Sequence, residues 1–304
     1  MEVSRNLLEA PELRAGLVAG VVVLVVGALL LWGLATRGAP RPGIFGPALV
    51  VATVGALAGS GRLDGGGPVP TRVVMALVLL WIAGELGTRT SLALGAVLAV
   101  AGGLALVPAD RPSTWVTALL VLGPALAGTA VAEFDRRAAH TGLGPQLLAV
   151  SILGLYACVP DTELVLALLG AAIPLLLLTW PRVLTRLGPG GSYAAIGLFL
   201  WIATVGGAGR PGSIVGAVAA LGLLVAEPVG RLLASRSTRT PGSRDRAAGR
   251  LTVVAFLVVQ VLLALYAARV AGRVEAPAVA AALALPILVV GVLIGARAGV
   301  EPRG

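Results

Sequence analysis

Lysine is missing from this chain: every one of its 23 basic residues is arginine. Cysteine and histidine occur once each, as Cys158 and His140. A single cysteine permits no internal disulfide, and a lone histidine excludes bis-histidine haem ligation and the Cys/His spacings of zinc sites. No cofactor is therefore expected, with Cys158 read as a small packing residue near a helix end and His140 as solvated among arginines. Charged residues make up only 12% of the chain, against about 25% in a typical soluble domain. That is too few to clothe a water-exposed surface. The glycine-rich stretches at 59–67 and 188–191 lack the Lys-Ser/Thr of a phosphate loop and read as connecting loops.

What the chain has instead is apolar length. Hydrophobic residues are 58% of it and the mean hydropathy is +0.98. The apolar segments are continuous rather than alternating, which favours membrane helices over a β-barrel. A crossing needs roughly 20 residues, so 304 residues hold about ten to twelve crossings and little else. The expected fold class is all-α, a polytopic integral membrane helical bundle. About eleven transmembrane helices are expected, at 15–35, 44–59, 73–88, 91–107, 115–132, 143–159, 164–181, 193–209, 213–230, 251–270 and 276–296. Arg89 is the only strong divider within 73–107, and merging those two crossings gives ten. Residues 1–14 form a short surface segment ahead of a single transmembrane domain at 15–304. The first apolar run is too long for a signal-peptide core and is read as retained.

Charge sets the expected direction. The loop at 231–250 carries six arginines against the single acid Asp245, and such a loop belongs on the cytoplasmic side. Strict alternation then brings Arg37, Arg41, Arg89, Arg136, Arg137, Arg182, Arg186, Arg297 and Arg303 to the same side. The N-terminus falls outside the cytoplasmic membrane, the C-terminus inside, and the acidic turn at 160–163 outside. The net charge of +9 is thus loop punctuation rather than a nucleic-acid footprint, and no nucleic-acid partner is expected. Leu-Tyr-Ala, an acid and a later proline recur in the two halves, which raises a tandem four-helix repeat at 90–186 and 190–297. Chance matching in Ala/Leu-rich helices is the competing explanation.

Three crossings end on the same spacing: Glu85 with Arg89, Glu133 with Arg137, and Glu227 with Arg231. A separation of four puts both side chains on one helix face. Either they form a ring of carboxylates at a cytoplasmic gate, since acids at membrane depth mark ion or substrate paths, or they are interfacial salt bridges with arginine at the favourable helix C-terminus. Pro228 threatens the helical geometry of the third pair. Gln260, near the middle of its crossing, is a candidate intramembrane polar site that needs a partner on another helix. Asp161 and Glu163 form a candidate outer acidic turn, and Pro124, Pro174 and Pro286 are candidate helix breaks, the device from which midplane sites are built. Tryptophans 32, 81, 115, 180 and 201 lie close to crossing ends, where they would anchor at the membrane interface.

Membrane lipids are expected partners, together with an unknown solute or lipid-linked substrate and other membrane proteins. The leading expectation is a multi-pass transporter or flippase. The alternative is a non-catalytic scaffold or accessory subunit of a cell-envelope assembly complex. An enzyme using Asp64, Asp110 and Asp161 ranks third, because no acid pair or His–acid motif supports it.

Overall fold

A computed structural model describes residues 10–35, 43–59, 69–108, 113–138, 142–159, 162–179, 183–206, 210–222, 224–226, 228 and 262. Among these residues the regular secondary structure is all helical, with nine α-helices, one 3-10 turn and no strand. They are α1 (Pro11–Ala35), α2 (Phe45–Gly59), α3 (Val69–Arg89), α4 (Leu92–Leu106), α5 (Thr114–Arg137), α6 (Leu143–Cys158), α7 (Thr162–Leu175), α8 (Pro189–Gly206) and α9 (Pro211–Ala220). Four stretches are long and apolar enough to cross a membrane: Pro11–Leu29, Thr71–Arg89, Thr114–Arg137 and Pro189–Gly206. The remaining apolar helices are shorter, and the expected crossings at 251–270, apart from Leu262, and 276–296, with most of the suspected second repeat and the 231–250 loop, lie outside the described residues.

Local chemistry explains the boundaries. Pro11 opens α1, where its missing N–H costs nothing, and Glu12 follows in the first turn, where the helix dipole favours an acid. The first helix therefore begins four residues before the expected crossing and takes in part of the expected surface segment. Between α3 and α4 only Thr90 and Ser91 intervene, and the Ser91 side chain accepts the Leu94 N–H at 3.4 Å. The two helices can fold back so sharply because Gly87 and Gly95 face each other: a Cβ on Gly95 would stand 2.6 Å from the Gly87 Cα. α7 stops short of the expected end at 181. Pro174 has no N–H for the preceding turn, and the helix tightens into a single 3-10 turn at Leu176–Leu178. Pro124 leaves α5 unbroken. The Leu120 carbonyl that it cannot bond instead lies against α4, 2.6 Å from where a Cβ on Gly103 would be, so glycine is what lets α4 pass.

α8 is the centre of the bundle. In its membrane-length window 89% of residues are buried, against 28–33% in the other three, because α2, α3, α5 and α9 pack around it. Trp201 is consequently a core residue, 7% exposed, and not the interfacial anchor expected of it. α1 lies at the edge and packs on α7 and α2. Its Gly16 and Gly20 sit directly on the Ala167, Gly170 and Ala171 backbone, the small-residue contact by which membrane helices approach closely. The outer face of α1 bears Val18, Val22, Val25 and Leu29, each more than half exposed, as suits a lipid-facing surface. Between α6 and α9, Ser151 donates to the Ala220 carbonyl at 2.8 Å. This is the kind of interhelical bond expected of Gln260, which lies outside the described residues.

Candidate functional site

The ends of α3 and α5, the starts of α2 and α8, and the extended segment 183–188 meet at one end of the bundle. Phe45 donates its N–H to the Arg186 carbonyl at 3.0 Å, and Ile44 donates to Thr185 Oγ1 at 3.1 Å. These bonds tie the entry of α2 to the segment before α8. The junction is tight. Gly188 has φ +75°, a conformation that L side chains disfavour, and a Cβ there would lie 2.8 Å from the Gly43 Cα. Gly190 packs equally closely on the Trp81 carbonyl of α3, at 2.5 Å for a built Cβ. The glycine run at 188–191, read as a loop from sequence, thus begins a helix and lets three backbones cross.

The first turn of a helix leaves N–H groups without intrahelical acceptors. At α8 two other helices supply the acceptors. Asp135 of α5 receives the Leu187 N–H on Oδ1 and the Gly188 N–H on Oδ2, both at 3.1 Å, and Glu85 of α3 receives the Gly190 N–H on Oε1 at 3.2 Å. Asp135 is 2% exposed. Its burial is tolerable because both oxygens accept fixed amide dipoles.

Beside this junction lies a cavity of about 790 Å³ whose walls include Trp81, Glu85 and Arg89 from α3, Thr129, Glu133 and Arg136 from α5, Tyr193 from α8, and Arg186. Glu85 Oε2 pairs with Arg89 Nη2 at 2.9 Å. Glu133 pairs with Arg136 through two bonds, 2.8 Å from Nε and 2.7 Å from Nη2, and also with Arg137 Nε at 2.6 Å. Further in, Thr129 Oγ1 and Tyr193 Oη are 2.6 Å apart. Thr129 precedes Arg137, and Trp81 precedes Arg89, by eight residues, a depth of about 12 Å at 1.5 Å per residue. The cavity therefore enters the bundle by less than half of a roughly 30 Å hydrocarbon core.

Two of the three expected Glu–Arg pairs, Glu85 with Arg89 and Glu133 with Arg137, thus stand beside one cavity, while Glu227 and Arg231 lie outside the described residues, as do Asp161 and Pro286. Glu163 sits in the first turn of α7, where the dipole favours a carboxylate. Among the described residues no group of three or more His, Cys, Asp or Glu is placed to hold a metal ion. Cys158 is buried at the end of α6. Sequence reasoning did not single out Asp135, Thr129 or Tyr193, and it read Arg186 only as a marker of sidedness. The one signal for Asp135 is that it follows Glu133 by two residues, which puts it on the opposite face of the same turn. No known protein family matches this chain, and no curated protein matches it either.

Proposed function

We propose that the chain is a multi-pass transporter or flippase of the cytoplasmic membrane, built from about eleven crossings, and that the charged cavity is its cytoplasmic vestibule. The observation that carries this reading is that Glu85 and Glu133, from different helices, face one cavity with their arginines already in pairing distance. An apolar bundle gains little stability from the ion pairs themselves, since exposed i,i+4 pairs contribute about 0.3–0.5 kcal/mol each. Glu133 holds two arginines at once, so one of them can turn to a cargo without leaving the carboxylate unpaired. Exchange of partners of this kind is what a gate requires as helices rock between inward- and outward-open states. Arginines concentrated at this end agree with the cytoplasmic assignment.

The test is reconstitution of the purified chain into liposomes, with uptake of labelled amino acids, nucleosides and sugar phosphates and flipping of fluorescent phospholipids measured in parallel. At least one cargo should cross faster than in protein-free vesicles, and Glu85→Gln and Glu133→Gln should each slow it at least tenfold. If no cargo moves, the transporter reading falls and a scaffolding role takes its place. If cargo moves equally well through both variants, the gate falls.

A further inference from the structure

We propose that the cavity takes the singly charged oxyanion of an amphipathic organic anion, held by the guanidinium of Arg186. The proposal rests on the reading of the cavity as a cargo site and names the class of cargo. It starts from how the wall charges are already used. Arg89 is occupied by Glu85, and Arg136 by both oxygens of Glu133. The two oxygens of Asp135 accept backbone amides. Arg186 alone among these wall cations has no acid within ion-pairing distance among the described residues, and its Nε is buried without a hydrogen-bond partner there.

A buried, unsatisfied donor is costly, more so on a charged group, and a guanidinium presents its donors in a planar fork that carboxylate and phosphate oxygens fit. The charge of the cargo follows from the surroundings. Glu85 pairs with Arg89 and Glu133 with both Arg136 and Arg137, while Asp135, within Coulombic reach of Arg186, has both oxygens on backbone amides. Counting Arg137, which pairs with Glu133 just outside the wall, four arginines stand against three carboxylates, and the one positive charge left over is neutralised by a monoanion and overshot by a dianion. The body of the cargo is indicated by Trp81 and Tyr193, which offer aromatic surface beside the charged groups. A carboxylate on an aromatic solute and a phosphodiester lipid headgroup share this chemistry.

The experiment titrates the purified full chain in neutral detergent with 1-naphthoate, dihexanoyl phosphatidylglycerol, and the uncharged or zwitterionic controls 1-naphthalenemethanol and dihexanoyl phosphatidylcholine. Binding is read by calorimetry and by the shift in thermal unfolding. At least one of the two anions should bind saturably, with the controls at least tenfold weaker. Binding of naphthoate alone assigns a soluble source, and binding of phosphatidylglycerol alone a lipid one. Arg186→Gln should weaken the anion at least tenfold, and Arg186→Lys, which keeps the charge but loses the fork, by a smaller factor of about three to ten. Should Arg186→Gln fail to fold, Arg186→Lys decides the matter. Absence of binding by both anions, or unchanged affinity in the variant, overturns the proposal. Because binding is measured without vesicles, a chain that binds through Arg186 but moves nothing refutes transport alone. A chain that transports equally well with Arg186→Gln refutes only the role of Arg186.

Discussion

Glu133 and Asp135 stand two residues apart on the last turn of α5 and do opposite work. Glu133, with its side chain 31% exposed, is held by two arginines of its own helix. Asp135, 2% exposed, has no cation within ion-pairing distance among the described residues and fastens two amides at the start of α8. A two-residue step turns the side chain by about 200°, so Glu133 stands partly exposed on the cavity wall while Asp135, on the same wall, is buried against the start of α8. A carboxylate whose partners are mobile side chains can exchange them. A carboxylate whose partners are buried amides is a fastening.

Breaking the fastening should have the largest effect. Asp135→Ala strands two buried N–H groups at about 1–3 kcal/mol each, so thermal unfolding in detergent should fall by an amount equivalent to about 2–6 kcal/mol. A melting curve unchanged from the parent would mean that α8 is held some other way. Gly188→Ala comes next. A left-handed residue with a Cβ costs about 1–2 kcal/mol, and the clash with Gly43 adds to it, so the variant should melt below the parent in the same assay. Tyr193→Phe removes the bond to Thr129 Oγ1 and should cost about 0.5–1.5 kcal/mol. Glu133→Gln should be the mildest for stability, under about 1 kcal/mol, because its pairs are partly exposed. Loss of transport in that variant without loss of stability would separate the two carboxylates further, and a destabilisation as large as that of Asp135→Ala would show that both are fastenings.

Periodicity in the sequence reveals what is local. The Glu85–Arg89 and Glu133–Arg137 pairs could be read because a helix brings positions four apart onto one face, and Arg89 marks the turn between α3 and α4 because two residues suffice there. The contacts of Asp135 could not be read, since its partners are amides 52 and 53 residues away and an amide leaves no trace in residue type. The glycines at 188–191 looked like a loop because glycine marks flexible turns and close backbone crossings alike, and only the nearness of Gly43 and Trp81 distinguishes the two. Trp201 looked interfacial because its position in the chain carries no information on how many helices surround α8.

On the reading proposed above, a water-filled, charged cavity descends between α3, α5 and α8 in a bundle otherwise clothed in lipid. Modification of single cysteines in reconstituted membranes tests it most directly. In a Cys158→Ala background, Thr129→Cys on the cavity wall and Val22→Cys on the outer face of α1 would each be exposed to a water-soluble, membrane-impermeant maleimide added to both sides. Val22 is 57% exposed in the bare protein, so exposure alone predicts that both cysteines react. With such a cavity in a lipid-clad bundle, Thr129→Cys should label rapidly and Val22→Cys not at all; protection of Thr129→Cys, or equal labelling of the two, would rule the cavity out.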